Sequence, residues 1–215
     1  MILDTYSLEF PAPNTADPET GLLAIGGDLS IERLLFAYQN GIFPWYEEGQ
    51  PYMWFAPAWR MVLFFENLKI HKSTKQLLKK GIFKCTINTC FERVIRCCAT
   101  QKRKDQKGTW ITSEMISAYI ELHKLGKATS IEVWKDQELV GGLYGIDLKE
   151  QRVFCGESMF SKVSNASKIG FIFLSEQLQS KNYKLLDCQM HTSHLESLGA
   201  IEIHRSIFMD LLLKE

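Results

Sequence analysis

Apolar positions recur at helical spacing or alternate with polar ones over most of the chain, and the order of these stretches predicts its elements. Residues 1–59 hold one clear helix at 31–40, with Ser30 as its N-cap and Gly41 as its stop. The rest of that segment is rich in proline, glycine and aromatic residues, which favours loops and short strands. We therefore expect a small N-terminal domain at residues 1–60.

A more regular pattern follows and predicts a larger domain of class α+β at residues 61–215. Thr89 and Glu92 form a capping box that opens a helix running to about residue 100. The connections at 136–137 and 149–151 are short enough for hairpin turns, so three consecutive strands should be antiparallel. The other predicted helices are 72–80, 113–125, 165–179, 193–198 and 207–214, and the strands are 61–65, 83–88, 130–135, 139–148, 152–159, 184–189 and 200–204.

The composition is that of a globular protein, with 46% hydrophobic and 23% charged residues among 215. No basic leader begins the chain and no apolar stretch reaches the length of a membrane span, so we expect a cytoplasmic protein. The six cysteines form no CxxC pair, and the five histidines lie apart from any thiol or carboxylate cluster. Free thiols, no metal site and no cofactor are therefore expected.

A net charge of zero hides a basic middle segment. Residues 60–108 carry thirteen Lys or Arg against three Asp or Glu, whereas both flanking segments are acidic. Such clustering is typical of a protein that binds a phosphate backbone, but it equally suits the solvated faces of two helices. As candidate backbone contacts we select Lys72, Lys75, Lys79, Lys80, Lys102, Arg103, Lys104 and Lys107.

Five segments occur in an order and spacing that no single motif would specify. They are GLLAIGGDLS at 21–30, GIFPWY at 41–46, GTWIT at 108–112, SIEVW at 130–134 with GGLYG at 141–145, and CGESMFS at 155–161. NASK at 165–168, LDCQ at 186–189 and SLGA at 197–200 extend the set. In these residues the chain resembles the bacterial leucyl/phenylalanyl-tRNA–protein transferases over most of its length.

The resemblance implies an aminoacyltransferase that moves Leu or Phe, and less well Met, from aminoacyl-tRNA to the N-terminal Arg or Lys of acceptor proteins. It would thereby mark them for N-degron-dependent degradation. The element order also resembles the N-acetyltransferase (GNAT) fold, whose fourth and fifth strands, here 152–159 and 184–189, splay apart around the acyl donor. The glycine-rich turn that binds coenzyme A in that fold is missing at 160–168, so a different acyl donor is expected.

Polar residues on these two strands form the expected reaction centre. Alternation places Asp187 and Gln189 on one face of their strand, and Glu157 lies on its neighbour, so three polar groups should converge on one cleft. From the residues alone, a buried anchor at Asp187 and a surface Glu157 would be the better interpretation; the resemblance reverses it. We expect Asp187 to orient Gln189, Gln189 to accept a hydrogen bond from the attacking amine, and Glu157 to hold an ammonium of either the donor or the acceptor. Asp187→Ala should then lower turnover with the fold nearly intact.

Aromatic and apolar residues are expected to hold the donor. The resemblance implies that Trp45 and Trp110 lie at the terminal adenosine, where an indole makes a stacking platform. Leu143 stands where relatives are expected to have methionine, and the loop at 101–107 is longer and more basic than expected. The other donor candidates are Phe154, Gly156, Met159, Leu143, Phe171 and Cys188, of which the large apolar side chains equally suit an ordinary core.

Two other functions fit parts of the sequence. An N-acetyltransferase would share the fold but would need a coenzyme A site. A non-catalytic tRNA-binding protein would use the basic segment but would leave Glu157, Asp187 and Gln189 without a purpose. Transfer of label from charged tRNA to a peptide is expected of an aminoacyltransferase but not of an N-acetyltransferase or of a non-catalytic tRNA-binding protein.

Overall fold

The computed structural model describes residues 1–101 and 109–214, which form two β-sheets flanked by helices. Short 3-10 helices cover Pro13–Thr15 and Phe65–Asn67. The α-helices are α1 (Ile31–Gln39), α2 (Lys72–Lys80), α3 (Phe91–Ala99), α4 (Ser113–Lys124), α5 (Ala166–Ser180), α6 (Ser193–Ser197) and α7 (Arg205–Leu213). The strands are β1 (Ile2–Leu3), β2 (Leu22–Gly26), β3 (Phe43–Pro44), β4 (Met53–Phe55), β5 (Trp59–Leu63), β6 (Lys84–Ile87), β7 (Ala128–Lys135), β8 (Glu138–Leu148), β9 (Val153–Ser161), β10 (Leu185–Gln189) and β11 (Ile201–His204).

The strands form a small and a large sheet. The small sheet has the order β1-β2-β4-β3, and the large one the order β11-β5-β10-β9-β8-β7-β6. In the large sheet β9 and β10 run parallel, whereas the other neighbouring strands run antiparallel. The predicted α+β class is therefore confirmed.

One apolar core extends from the small sheet into the large one. Tyr38 of α1, Tyr119 of α4 and Tyr144 of β8 are buried in the same cluster. Leu143, next to Tyr144 on β8, belongs instead to the cluster beneath α5, because successive strand residues face opposite sides. Helices α3 and α4 thus cover one face of the large sheet and α5 the other. The division of the chain at residue 60 stays a prediction.

The predicted elements are found within two residues of their expected ends, but the capping box of α3 is wrong. The N-cap is Cys90, without a side-chain hydrogen bond. Thr89 instead donates its hydroxyl proton to the fully buried Glu132 at 2.7 Å, and Glu92 pairs with Arg96 at 2.8 Å. A buried carboxylate needs donors more than an exposed helix end does, since unpaired burial of charge is costly.

Strands β9 and β10 separate part-way along their length. They pair over three positions, the last being Cys155 opposite Asp187. Beyond that point β9 continues beside β8 to Ser161, whereas β10 ends at Gln189 with a register shift against β5. The separation leaves an opening in the large sheet.

Candidate active site

A cavity of about 520 Å³ fills the opening between β9 and β10. Its size lies in the range typical of small-molecule sites. Apolar side chains from β8, β9 and α5 form much of its wall, and Glu157 and Gln189 are among its polar lining groups. An apolar cavity with a few polar groups suits a ligand that has an apolar side chain and one reacting centre.

Glu157 and Gln189 are hydrogen-bonded to each other in the cavity wall. Nε2 of Gln189 donates to Oε1 of Glu157 at 2.7 Å. Oε2 of Glu157 accepts from the hydroxyl of Tyr119 at 3.1 Å, and that hydroxyl is hydrogen-bonded to the hydroxyl of Tyr38. A row of hydroxyls therefore connects α1 through α4 to the cavity. The sequence interpretation missed this support, although a buried tyrosine signals a need for a hydroxyl partner.

Asp187 lies behind the cavity wall. Its carboxylate is fully buried and accepts from Nε and Nη2 of Arg60 on β5 at 2.8 and 2.6 Å. Oδ1 also accepts the backbone N–H of Gln189 at 2.9 Å. The expected convergence of three polar groups on one cleft is thus corrected, because Glu157 and Gln189 line the cavity and Asp187 does not. The physical reason is that Gln189 has a φ of 63° beside a register shift, which breaks simple alternation.

Glu157 has an unusual protonation equilibrium for a carboxyl group. Burial raises its pKa to about 7, although hydrogen bonds from Tyr38, Tyr119 and Gln189 favour the ionised form. The nearby charge of Asp187 adds to the upward shift. Glu157 therefore changes protonation near neutral pH, as groups at reaction centres often do.

Two family models match the chain. The leucyl/phenylalanyl-tRNA protein transferase N-terminal domain matches residues 27–58, and the leucyl/phenylalanyl-tRNA protein transferase matches residues 62–213. The chain belongs to the leucyl/phenylalanyl-tRNA protein transferase family.

Relatives in this transferase family match almost the whole chain. A leucyl/phenylalanyl-tRNA–protein transferase of Flavobacterium johnsoniae is 61% identical over 205 residues, covering 95% of each chain. The same enzyme of Flavobacterium psychrophilum is 56% identical over 210 residues, or 98% of each chain. That of Cellvibrio japonicus is 50% identical over 211 residues, covering 98% of this chain and 88% of the other. The resemblance expected from the sequence is confirmed, and the protein is an enzyme of this transferase family.

Most residues that the transferase resemblance placed at the donor line the cavity. Phe154 is the exception and is corrected to a core residue. It lies where β9 and β10 are still paired, opposite Leu186, before the opening begins. Its ring packs against Gly145, where an added Cβ would lie 2.4 Å from a ring carbon. The expected donor residues that do line the cavity are Trp45, Trp110, Leu143, Gly156, Met159, Phe171 and Cys188.

The basic residues expected at the tRNA backbone lie outside the cavity wall, as far as the structure describes them. Lys72, Lys75, Lys79 and Lys80 are exposed on α2. This helix packs through Leu77 on the apolar cluster that contains Val133 and Val140. Contact with tRNA stays a prediction for these four lysines. Lys102, Arg103, Lys104 and Lys107 lie outside the described residues.

No group of three or more His, Cys, Asp or Glu side chains within residues 1–101 and 109–214 is arranged to hold a metal ion. The six cysteines are free thiols in the described chain. None of the described helices is long and apolar enough to cross a membrane.

Proposed function

We propose that the protein transfers leucine or phenylalanine, and methionine less well, from aminoacyl-tRNA to the N-terminal Arg or Lys of acceptor proteins. The transfer takes place in the bacterial cytoplasm, where charged tRNA is made, and marks the acceptors for N-degron-dependent degradation. One observation carries the proposal. The cavity combines an apolar wall with the hydrogen-bonded pair of Glu157 and Gln189. The donor's apolar side chain would therefore lie against the apolar wall, with its acyl carbon beside the Glu157–Gln189 pair.

The reaction is aminolysis of the ester between the amino acid and the terminal ribose. The α-amine nitrogen of the acceptor bonds to the ester carbonyl carbon, and the C–O bond to the ribose breaks. The amine gives up a proton and the ribose oxygen takes one up. An unperturbed α-amine has a pKa of about 7.7–8.0, so a fair fraction is neutral near pH 7. The enzyme therefore mainly has to orient the two substrates and supply a hydrogen-bond acceptor for the amine.

Gln189 supplies that acceptor in this proposal. Its Nε2 points at Glu157, so its carbonyl oxygen points to the opposite side of the amide and accepts from the attacking amine. Asp187 acts through the backbone N–H of Gln189 and does not touch the substrates. Glu157 in its ionised form holds an ammonium group, which suits acceptors that begin with Arg or Lys.

Trp45 and Trp110 stack on the terminal adenosine in this arrangement. Both indoles line the cavity, and the Trp45 ring is supported edge-on by Phe55 with 5.6 Å between ring centres. Stacking of a base on an aromatic ring contributes on the order of 1–3 kcal/mol and tolerates any base. Lysines of the basic segment add phosphate contacts, which carry no sequence information.

We also infer that the large sheet is a GNAT-like sheet used for a donor other than coenzyme A. The opening between β9 and β10 supports this. Coenzyme A would need free amides at the start of α5 to hold its pyrophosphate. The hydroxyl of Ser161 already accepts the N–H of Ser167 there, at 3.3 Å. Asn165 at the helix start has a φ of 69° and supplies no glycine-rich turn. An N-acetyltransferase is disfavoured on these grounds.

Turnover should rise with pH through about 7, because Glu157 must be ionised to hold an ammonium. Its pKa in the folded protein exceeds the ordinary value of 4.5, so between these values the folded state binds a proton that the unfolded chain has released. The free energy of unfolding should therefore decrease as the pH rises through that window. Turnover and urea unfolding are to be measured from about pH 5 to about pH 8.5, across both the carboxyl and the α-amine ranges.

Glu157→Gln is the control for this pH dependence. It should remove the carboxyl's contribution to both curves while the inflection of the acceptor's α-amine remains. A variant with the full wild-type profiles would exclude Glu157 as their source.

Amino-acid selectivity tests the proposed function most fully. One tRNA body misacylated with each amino acid in turn should give transfer of Leu and Phe to an Arg-initiated peptide, some transfer of Met, and none of Asp or Lys. An apolar cavity discriminates by size only by about 1–3 kcal/mol per methylene, but it rejects an unpaired charge firmly. Equal rates for Leu and Asp would rule out the apolar cavity as the donor site. Acetyl transfer from acetyl-coenzyme A in a parallel reaction would favour the N-acetyltransferase instead, and tRNA binding without any transfer would favour a non-catalytic protein.

A further inference from the structure

We infer that Arg60 is a positioning residue of the transfer. It holds Asp187 and, through Asp187, fixes the backbone of Gln189 in the conformation that the reaction uses. The inference rests on the proposed function and adds to it a residue outside the cavity wall.

The guanidinium of Arg60 is held on several sides. Nε and Nη2 donate to the two carboxylate oxygens of Asp187 at 2.8 and 2.6 Å, and Nη1 donates to the carbonyl oxygen of Gly41 at 3.2 Å. Its central carbon lies 4.6 Å from the ring centre of Phe43 and 4.7 Å from that of Phe208. Only 2% of Arg60 is exposed. A planar fork held in this way fixes the orientation of the carboxylate it pairs with.

Asp187 connects Arg60 to the backbone of Gln189. Its Oδ1 accepts from Arg60 and also from the backbone N–H of Gln189 at 2.9 Å. Gln189 is the last residue of β10 and has a φ of 63°, a left-handed conformation that residues other than glycine rarely adopt. That turn of the backbone directs the amide side chain to Glu157. The Arg60–Asp187 pair therefore determines where the reacting amide lies.

The same geometry defines the part that Asp187 plays. Oδ1 accepts two hydrogen bonds and Oδ2 accepts one, and the carboxylate is fully buried outside the cavity wall. Asp187 therefore does not reach the proton of the attacking amine. Phe43 provides a second connection, since its ring packs on Arg60 and also lines the cavity.

Arg60→Lys tests the inference, because lysine keeps the positive charge but lacks the planar fork. With leucyl-tRNA and an Arg-initiated peptide, we expect kcat per folded molecule to fall about 10–100-fold, as small misplacements at reaction centres do. KM for leucyl-tRNA should change less than about threefold, because Arg60 itself lies outside the cavity wall and touches it only through Phe43. Circular dichroism and urea unfolding give the folded fraction.

Arg33→Lys is the matched control. Arg33 is also fully buried, donates to the carbonyl oxygens of Asp4 and Ser7, and pairs with Asp28. It lies outside the cavity wall, so its variant should lose stability but keep the wild-type kcat per folded molecule. An equal loss of kcat in both variants would show that general destabilisation of the fold causes the effect of Arg60→Lys, and this would overturn the inference. Wild-type kcat in folded Arg60→Lys would overturn it as well.

A double variant tests the inference if Arg60→Lys does not fold. Arg60→Met combined with Asp187→Asn removes both charges, so no buried charge is left unpaired. We expect this double variant to fold and to retain the loss of kcat, whereas wild-type turnover would overturn the inference. Failure of the proposed function is distinguishable, because the wild-type protein itself would then transfer no leucine.

Discussion

Gln189→Ala is expected to lower turnover by about 10²–10³-fold while the protein stays folded. The substitution removes the carbonyl oxygen that accepts from the attacking amine and the Nε2 donor that positions Glu157. Gln189 ends a strand at the edge of the cavity, so its truncation opens the cavity without removing core packing. The measurement is kcat with leucyl-tRNA and an Arg-initiated peptide, alongside the urea midpoint.

Gln179→Ala serves as the control for this substitution. Gln179 is exposed on α5, and its truncation should leave both turnover and the urea midpoint at wild-type values. Turnover of Gln189→Ala within about threefold of wild type, well below the effect of a group that takes part in proton transfer, would remove this amide from the reaction.

Asp187→Ala is expected to lower the free energy of unfolding by about 3–5 kcal/mol, because it leaves the charge of Arg60 buried and unpaired. From the sequence alone this variant should have kept its fold nearly intact. The buried pair with Arg60 corrects that expectation. Urea unfolding followed by circular dichroism measures the change, as a shift in midpoint at constant slope.

Two further variants separate the buried pair from other causes. Adding Arg60→Met to Asp187→Ala should recover part of the lost stability, since the unpaired charge is gone. Asp210→Ala removes an exposed carboxylate that pairs with Lys214, and its effect should stay within about 0.5 kcal/mol. Unfolding of Asp187→Ala at the wild-type urea concentration would show that the Arg60–Asp187 pair does not stabilise the fold.

The elements could be predicted from the sequence because their signals are local. Ser30 caps α1 through Arg33, three residues away, and Gly81 ends α2 with a φ of 63°. The capping box of α3 was predicted wrongly because Thr89 donates its hydroxyl proton to Glu132, which lies 43 residues further along the chain. A local sequence pattern does not reveal such a distant partner, which becomes visible only in the folded structure.

The site residues, too, could be predicted from the sequence only where the signal was local or belonged to a family motif. Strand positions and family motifs selected Glu157 and Gln189, which the fold brings together. Arg60 and Tyr38 were missed, since their partners lie 127 and 81 residues away. The available signals were one charged residue within the apolar strand Trp59–Leu63 and a tyrosine in the predicted helix at 31–40.

Mass spectrometry of one acceptor peptide shows whether the protein transfers leucine to a free α-amine. The purified protein is incubated with leucyl-tRNA and a peptide that begins with Arg, next to the same peptide with its α-amine acetylated. We expect the free peptide to gain one leucyl residue at its N-terminus and the acetylated peptide to stay unchanged. A free peptide that gains no leucine while the tRNA remains charged would contradict the proposed transfer.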